Sequence, residues 1–177
     1  MAESEGFGAL AEIVAKMSSV KEMVARDAEQ AAQAQAEDTH RAEEAEQARS
    51  LEFGAFVETA YLIAAADGKM SDAELNTLTR GISEITQSRY SEGDIQNMAQ
   101  TAASALESEG KDARISAVAS TITDPGLRRS AFLVGAALAW HNGGVEMKEG
   151  LMLQAISRAF DIPMNEMHQL LGQAKGR

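Results

Sequence analysis

The sequence predicts an all-α protein: a bundle of about seven helices with an internal helix-turn-helix repeat, preceded by a long N-terminal helix. Three observations lead there. Alanine, glutamate, glutamine, leucine and methionine dominate, while prolines number only two, a balance that favours helix over sheet. Apolar residues recur at three-four spacing along most of the chain, the period of one helix face. Capping signals stand before several of these stripes, where the first amide groups of a helix need acceptors.

The elements follow in order. Residues 1–50 form an N-terminal region distinct from residues 51–177. Leu10, Ile13, Met17, Val20 and Val24 fall on one side of a helix, an amphipathic stripe suited to packing on a partner, a second copy or the domain itself. The following stretch, AEQAAQAQAEDTHRAEEAEQAR, has strong helix propensity and almost nothing to bury, so it reads as a solvated helical spacer. Phe53, Phe56, Val57, Ala60, Ile63 and Ala64 give the first core-facing stripe, and Leu75, Leu78, Ile82 and Ile85 the second. Ser91 with Asp94 starts a third helix carrying Ile95, Met98 and Ala102; Ile115, Val118, Ala119 and Ile122 form a fourth stripe. Asp124 caps a helix opened by Pro125, with Phe132, Leu133, Ala136, Ala137 and Trp140 facing inward. Leu151, Leu153, Ile156 and Phe160 follow, and Pro163 opens a last helix with Met167, Leu170 and Leu171.

Charge and composition exclude several functions. The net charge is −11 and the isoelectric point about 4.7, so the surface repels phosphate backbones and nucleic acid is not an expected partner. A cation or a protein partner fits better. The chain has no cysteine, which removes disulfides and thiolate metal sites. Glu3 and Glu5 stand where a secretory signal carries basic residues, and no apolar run reaches membrane-spanning length. A cytoplasmic location is expected. No serine has a nearby His/Asp pattern and no glycine loop of the phosphate-cradling kind is present, so the chain is not expected to be an enzyme. Glu37 and His40 have di-iron helix spacing, but a second copy of that motif is missing.

An internal repeat carries the most information. AYLIAAADGKMSDAE, from Ala60 to Glu74, is similar to GAALAWHNGGVEMKE, from Gly135 to Glu149, at an offset of 75 residues. Both contain an apolar helix end, an Asp/Asn-Gly pair, an apolar residue two positions on and a Glu six positions on. In the first copy, Ser71 and Glu74 have capping-box spacing, Met70 and Leu75 can staple the helix start, and Gly68 is expected to end the preceding helix in the left-handed conformation. Asp67 is different. A carboxylate at the C-terminal end of a helix faces the negative end of the dipole, so a positive group or an Asx-type turn must offset it. In the second copy Asn142 replaces Asp67 and Glu146 replaces Ser71, which is expected to leave Glu149 freer than Glu74. A standard EF-hand loop is rejected, because its first ligand positions would fall on Ile63 and Ala65. If the two loops lie side by side, Asp67, Asp72, Glu74, Asn142, Glu146 and Glu149 could offer oxygens to one divalent cation such as calcium.

Three segments, ETAYLIAAADGKMSDAELNTL (Glu58 to Leu78), DPGLRRSAFLVGAALAWHNGGVEMKEGLML (Asp124 to Leu153) and RAFDIPMNEMHQLL (Arg158 to Leu171), resemble the TerB tellurite-resistance family. The resemblance covers about residues 51–173 and leaves out the first fifty. It implies an all-helical fold of about seven helices and a non-catalytic role in tellurite or other stress resistance, with acidic loop residues as a metal site. Asn142 departs from the family's Asp and weakens the metal inference in the second loop. The competing expectation is an interaction or scaffolding module, recruited to a protein partner, an assembly or a second copy by the stripe Leu10, Ile13, Met17, Val20 and Val24. Its polar face is not lysine-rich, which argues against direct membrane binding.

Overall fold

The computed structural model describes residues 3–68, 70–87, 89–141 and 145–175, with side chains described from residue 25 onward. The elements are α1 (Glu3–Ala64), α2 (Asp72–Ile85), α3 (Glu92–Glu109), α4 (Lys111–Thr121), α5 (Pro125–His141), α6 (Met147–Ala159) and α7 (Met164–Ala174). No strand occurs among the described residues, as composition and periodicity predict. By its internal packing the chain divides into two units, Met1–Ala48 and Arg49–Arg177. No helix among the described residues is long and apolar enough to cross a membrane.

In the first unit, residues 25–48 are helical and exposed throughout. Their interactions are local: Arg41 pairs with Asp38 one turn back at 3.0 Å, and His40 approaches Glu44 one turn on at 3.4 Å. Pairs of this kind support a solvated helix by a few tenths of a kcal/mol each. The stripe residues Leu10, Ile13, Met17, Val20 and Val24 lie outside the residues whose side chains are described.

The second unit holds the core. Val57, Leu62 and Ile63 of α1, Leu78 and Ile82 of α2, and Ile95 of α3 are fully buried. Phe132 of α5, Leu153 and Ile156 of α6, and Ile122 after α4 join them. Helix α5 packs on α7, α2 on α3, and α4 on α6. Two stripe assignments are corrected: Ile85 and Leu151 are 62 % and 58 % exposed. The inner face of α6 instead uses Met152 and Glu149, one helical turn before Ile156 and Leu153 respectively.

The turns are built from cap chemistry. Ser91 and Asp94 cap each other's backbone at the start of α3, and the Asp124 carboxylate accepts from Leu127 N at 2.6 Å at the start of α5. Gly110 joins α3 to α4 at φ +83°, a conformation that a side chain makes costly. Arg128 is half-buried and ties the α4 end down. It donates to Ile122 O and Ala119 O at 2.7 Å each and to Phe160 O at 3.4 Å, cation to helix C-terminal carbonyls. The repeat copies also touch. A Cβ at Gly135 would lie 2.5 Å from Ile63 Cδ1, so glycine is what lets α5 accept this side chain of α1.

Candidate functional site

Helix α1 ends at Ala64 and unwinds through a turn, Ala65 to Asp67. Gly68 N donates to Ala65 O at 3.1 Å. Gly68 does not adopt the expected left-handed conformation; Gly110 alone among the described glycines has a positive φ. The overlapping turn already satisfies the α1 end, with Ala65 N on Tyr61 O and Ala66 N on Ile63 O, so no Gly-type helix stop is needed there. Beyond it, Ser71 opens α2 with a full capping box. Glu74 N donates to Ser71 Oγ at 3.3 Å, and Glu74 Oε2 accepts from Ser71 N and Oγ at 2.7 and 2.8 Å.

The second loop starts helix α6 differently. Glu146 takes the cap position, and Glu149 Oε2 accepts from Glu146 N at 2.8 Å. The expectation that Glu149 would be the freer carboxylate is therefore corrected. It is 7 % exposed and held by that amide, because its position on the inner face of α6 turns it inward and the backbone offers the donor. Burial raises its pKa above the usual carboxylate range. The Glu146 amide lowers it in part, and the charges of Asp67, Glu146 and Glu74 raise it further.

The two loops meet. Lys148, on the first turn of α6, donates from Nζ to the Asp67 carbonyl oxygen at 3.4 Å. An ammonium of the second copy thus sits at the helix end beside Asp67, on its carbonyl rather than its carboxylate oxygen. Nothing in the local sequence marks Lys148 as a partner of Asp67. A usable signal lies in the repeat alignment: the first copy gains an acid where the second has Asn142, and the second gains a base where the first has Ala73.

Of the candidate ligands, Asp67, Asp72 and Glu146 are exposed, Glu74 is half-buried and committed to its cap, and Glu149 is buried. Asn142 lies outside the described residues. Among the described residues, no three His, Cys, Asp or Glu side chains converge closely enough to hold a metal ion. The loops bring Asp67, Glu74 and Glu146 within electrostatic range of Glu149 without assembling a coordination shell.

A second feature lies on another face of the same unit. A groove of about 650 Å³ runs between residues 50–58 of α1, α3 and α4. One end of it carries an ion pair that sequence reasoning missed. Arg114 donates from Nε and Nη2 to both carboxylate oxygens of Glu58 at 2.7 and 2.8 Å, and from Nη1 to Glu109 at 2.9 Å. Glu58 is 8 % exposed. Its hydrogen bonds, first with Glu58 and then with Glu109, raise the Arg114 pKa above its ordinary value. Glu58 interrupts the apolar stripe of α1, and its partner lies 56 residues away, so neither spacing nor charge pattern announces the pair.

Comparison with protein-family models, with curated proteins and with solved structures gives no match to this chain.

Proposed function

We propose that this chain is a non-catalytic accessory protein of the TerB-like, stress-response kind, whose loop pair takes up a divalent cation in competition with Lys148. One observation carries the reading: the Asp67 turn and the first turn of α6 are joined by Lys148 Nζ on Asp67 O at 3.4 Å. That contact brings an ammonium to the Asp67 turn, beside the loop pair where Asp67, Glu146 and Glu74 act on Glu149. A divalent ion supplies twice the charge and prefers carboxylate and carbonyl oxygens. Uptake has a cost, because Glu74 and Glu149 must loosen their caps and the exposed Asp67, Asp72 and Glu146 must swing inward. The expected affinity is in the millimolar range of weak oxygen-ligand sites, about 10⁻⁴–10⁻³ M.

The test is a calcium titration followed by amide NMR and calorimetry on the full chain and on Lys148→Met. Saturable shifts at Gly68 and Glu149, tighter in Lys148→Met, are expected. Shifts absent from both proteins at millimolar calcium would overturn the reading.

A second reading, an interaction module recruited through Leu10, Ile13, Met17, Val20 and Val24, is favoured by the spacer itself. Every residue from 25 to 50 is exposed, and such a helix has few packing reasons of its own to exist. Deletion of residues 1–50 is expected to leave a folded remainder that no longer associates with its partner. Loss of folding on deletion would count against this reading.

A further inference from the structure

The groove between α1, α3 and α4 is lined largely by small side chains. Gly54, Ala55, Ala102, Ala105 and Ala117 are among them. Gly54, Gly81 and Gly172 are helical glycines where a Cβ would meet nothing within 4 Å, and of these Gly54 is the one that lines the groove. It lies inside a helix, where glycine is a poor former. Gly135 is explained by the Ile63 side chain pressed against it, but a Cβ at Gly54 would meet nothing within 4 Å. Nothing inside the domain requires the missing side chain. The open space belongs to the groove, and Leu51, 62 % exposed, stands beside it as an apolar rim.

We infer that this groove receives the amphipathic stripe Leu10–Val24 of a second copy of the chain, a proposal that rests on the recruitment reading above. Three features favour this occupant. The first is size: the stripe presents Leu10, Ile13, Met17 and Val20 at three-four spacing, large aliphatic knobs for a floor of glycine and alanine. The second is length: fourteen residue steps from Leu10 to Val24 extend about 21 Å, against about 17 Å for the eleven steps of the α3 wall from Asp94 to Ala105. The third is charge. Lys16 and Lys21 fall on either side of the stripe, about 70° from its centre by helical geometry. The groove offers them the Asp94 carboxylate, while its own cation, Arg114, is already shared by Glu58 and Glu109.

The experiment measures association of the full chain by light scattering and sedimentation. It compares wild type, Gly54→Leu and the stripe variant Ile13→Asp/Met17→Asp, and adds titration with a peptide of residues 7–26. A Cβ at Gly54 meets nothing within 4 Å and opens onto the groove, and Gly54→Leu replaces a poor helix former, so the variant is expected to melt no lower than wild type while its self-association and its peptide affinity fall at least about tenfold. The stripe variant is expected to lose association equally. If the stripe variant loses association and Gly54→Leu keeps it, recruitment stands and the groove is wrong. A wild-type chain that stays monomeric at about 100 μM, with no peptide binding, overturns both.

Discussion

The two copies of the helix-turn-helix unit share a spacing but not a chemistry, and the difference shows how a duplicated motif is put to separate uses. In the first copy a neutral hydroxyl caps α2 and Glu74 answers it. In the second a carboxylate, Glu146, takes the hydroxyl's place, and Glu149 is buried beside it with a raised pKa. At the same offset, two residues before each copy begins, Glu58 is matched by Leu133, and at the first position of the copies Ala60 is matched by Gly135. The first copy buries a charge and brings Arg114 to it; the second makes room for Ile63 of the first. Asymmetry at these three positions therefore lets similar segments pack against each other and present different groups at their shared loops.

The comparison can be broken most severely at the ion pair. Glu58→Ala leaves the half-buried Arg114 guanidinium to Glu109 alone, and a loss of about 2–3 kcal/mol is expected by chemical denaturation, below the ~3–5 kcal/mol of a pair whose surviving charge has no other partner. Replacing both partners, as Glu58→Leu with Arg114→Met, copies the apolar chemistry of the second unit and should recover most of that loss. A double mutant as unstable as the single one would show that the pair is not what the first copy depends on.

Gly135→Ala comes next. Its Cβ would overlap Ile63, and about 1–3 kcal/mol is expected from overpacking. Ile63→Val in the same chain should return part of it, and a coupling energy near zero between the two sites would contradict the packing described. Ser71→Ala removes one cap and should cost about 1 kcal/mol, visible as reduced amide protection at the start of α2 alone.

The smallest effect sharpens the contrast between the two glutamates. The raised pKa of Glu149 means that the folded state holds its proton more tightly than the unfolded chain does. Stability from this group is present at low pH and is lost as pH rises through the raised value. Glu149→Gln, which keeps an acceptor for Glu146 N, should therefore raise the melting temperature at pH 7 by about 2 °C. The advantage should vanish as pH falls into the ordinary carboxylate range. Melting curves of the two proteins at pH 7 and pH 4 check it, and an advantage that persists at pH 4 would assign the gain to something other than ionisation.

The helical class and most of the core were legible because they are written in local spacing. Val57, Ile63, Leu78, Ile95, Phe132 and Ile156 are read from the period alone, and Ser71, Ser91 and Asp124 from their position before it. Ile85 and Leu151 were misplaced because a stripe has edges, and only packing decides which edge meets a neighbour. The loop pair was visible as a repeat, but its linking residue was not. Lys148 reaches Asp67 across 81 positions, and a lone lysine on an acidic chain carries no local mark of such a partner. Glu149 was misjudged for the opposite reason: its side chain replaces a missing hydroxyl partner with a backbone amide, a bond available to any carboxylate three residues into a helix. The groove was illegible because small residues signal nothing until three helices stand around them.

Trp140, the chain's single tryptophan, sits two residues before Asn142. Its indole Nε1 is buried without a hydrogen-bond partner, and Lys175 Nζ lies 4.8 Å over the ring. An indole N–H sheltered from water emits to the blue, and an ammonium on its face perturbs the excited state. The molecule thus carries its own optical gauge at the end of α5: any rearrangement of the second loop that wets the indole or lifts the lysine should change its colour and brightness, without a label.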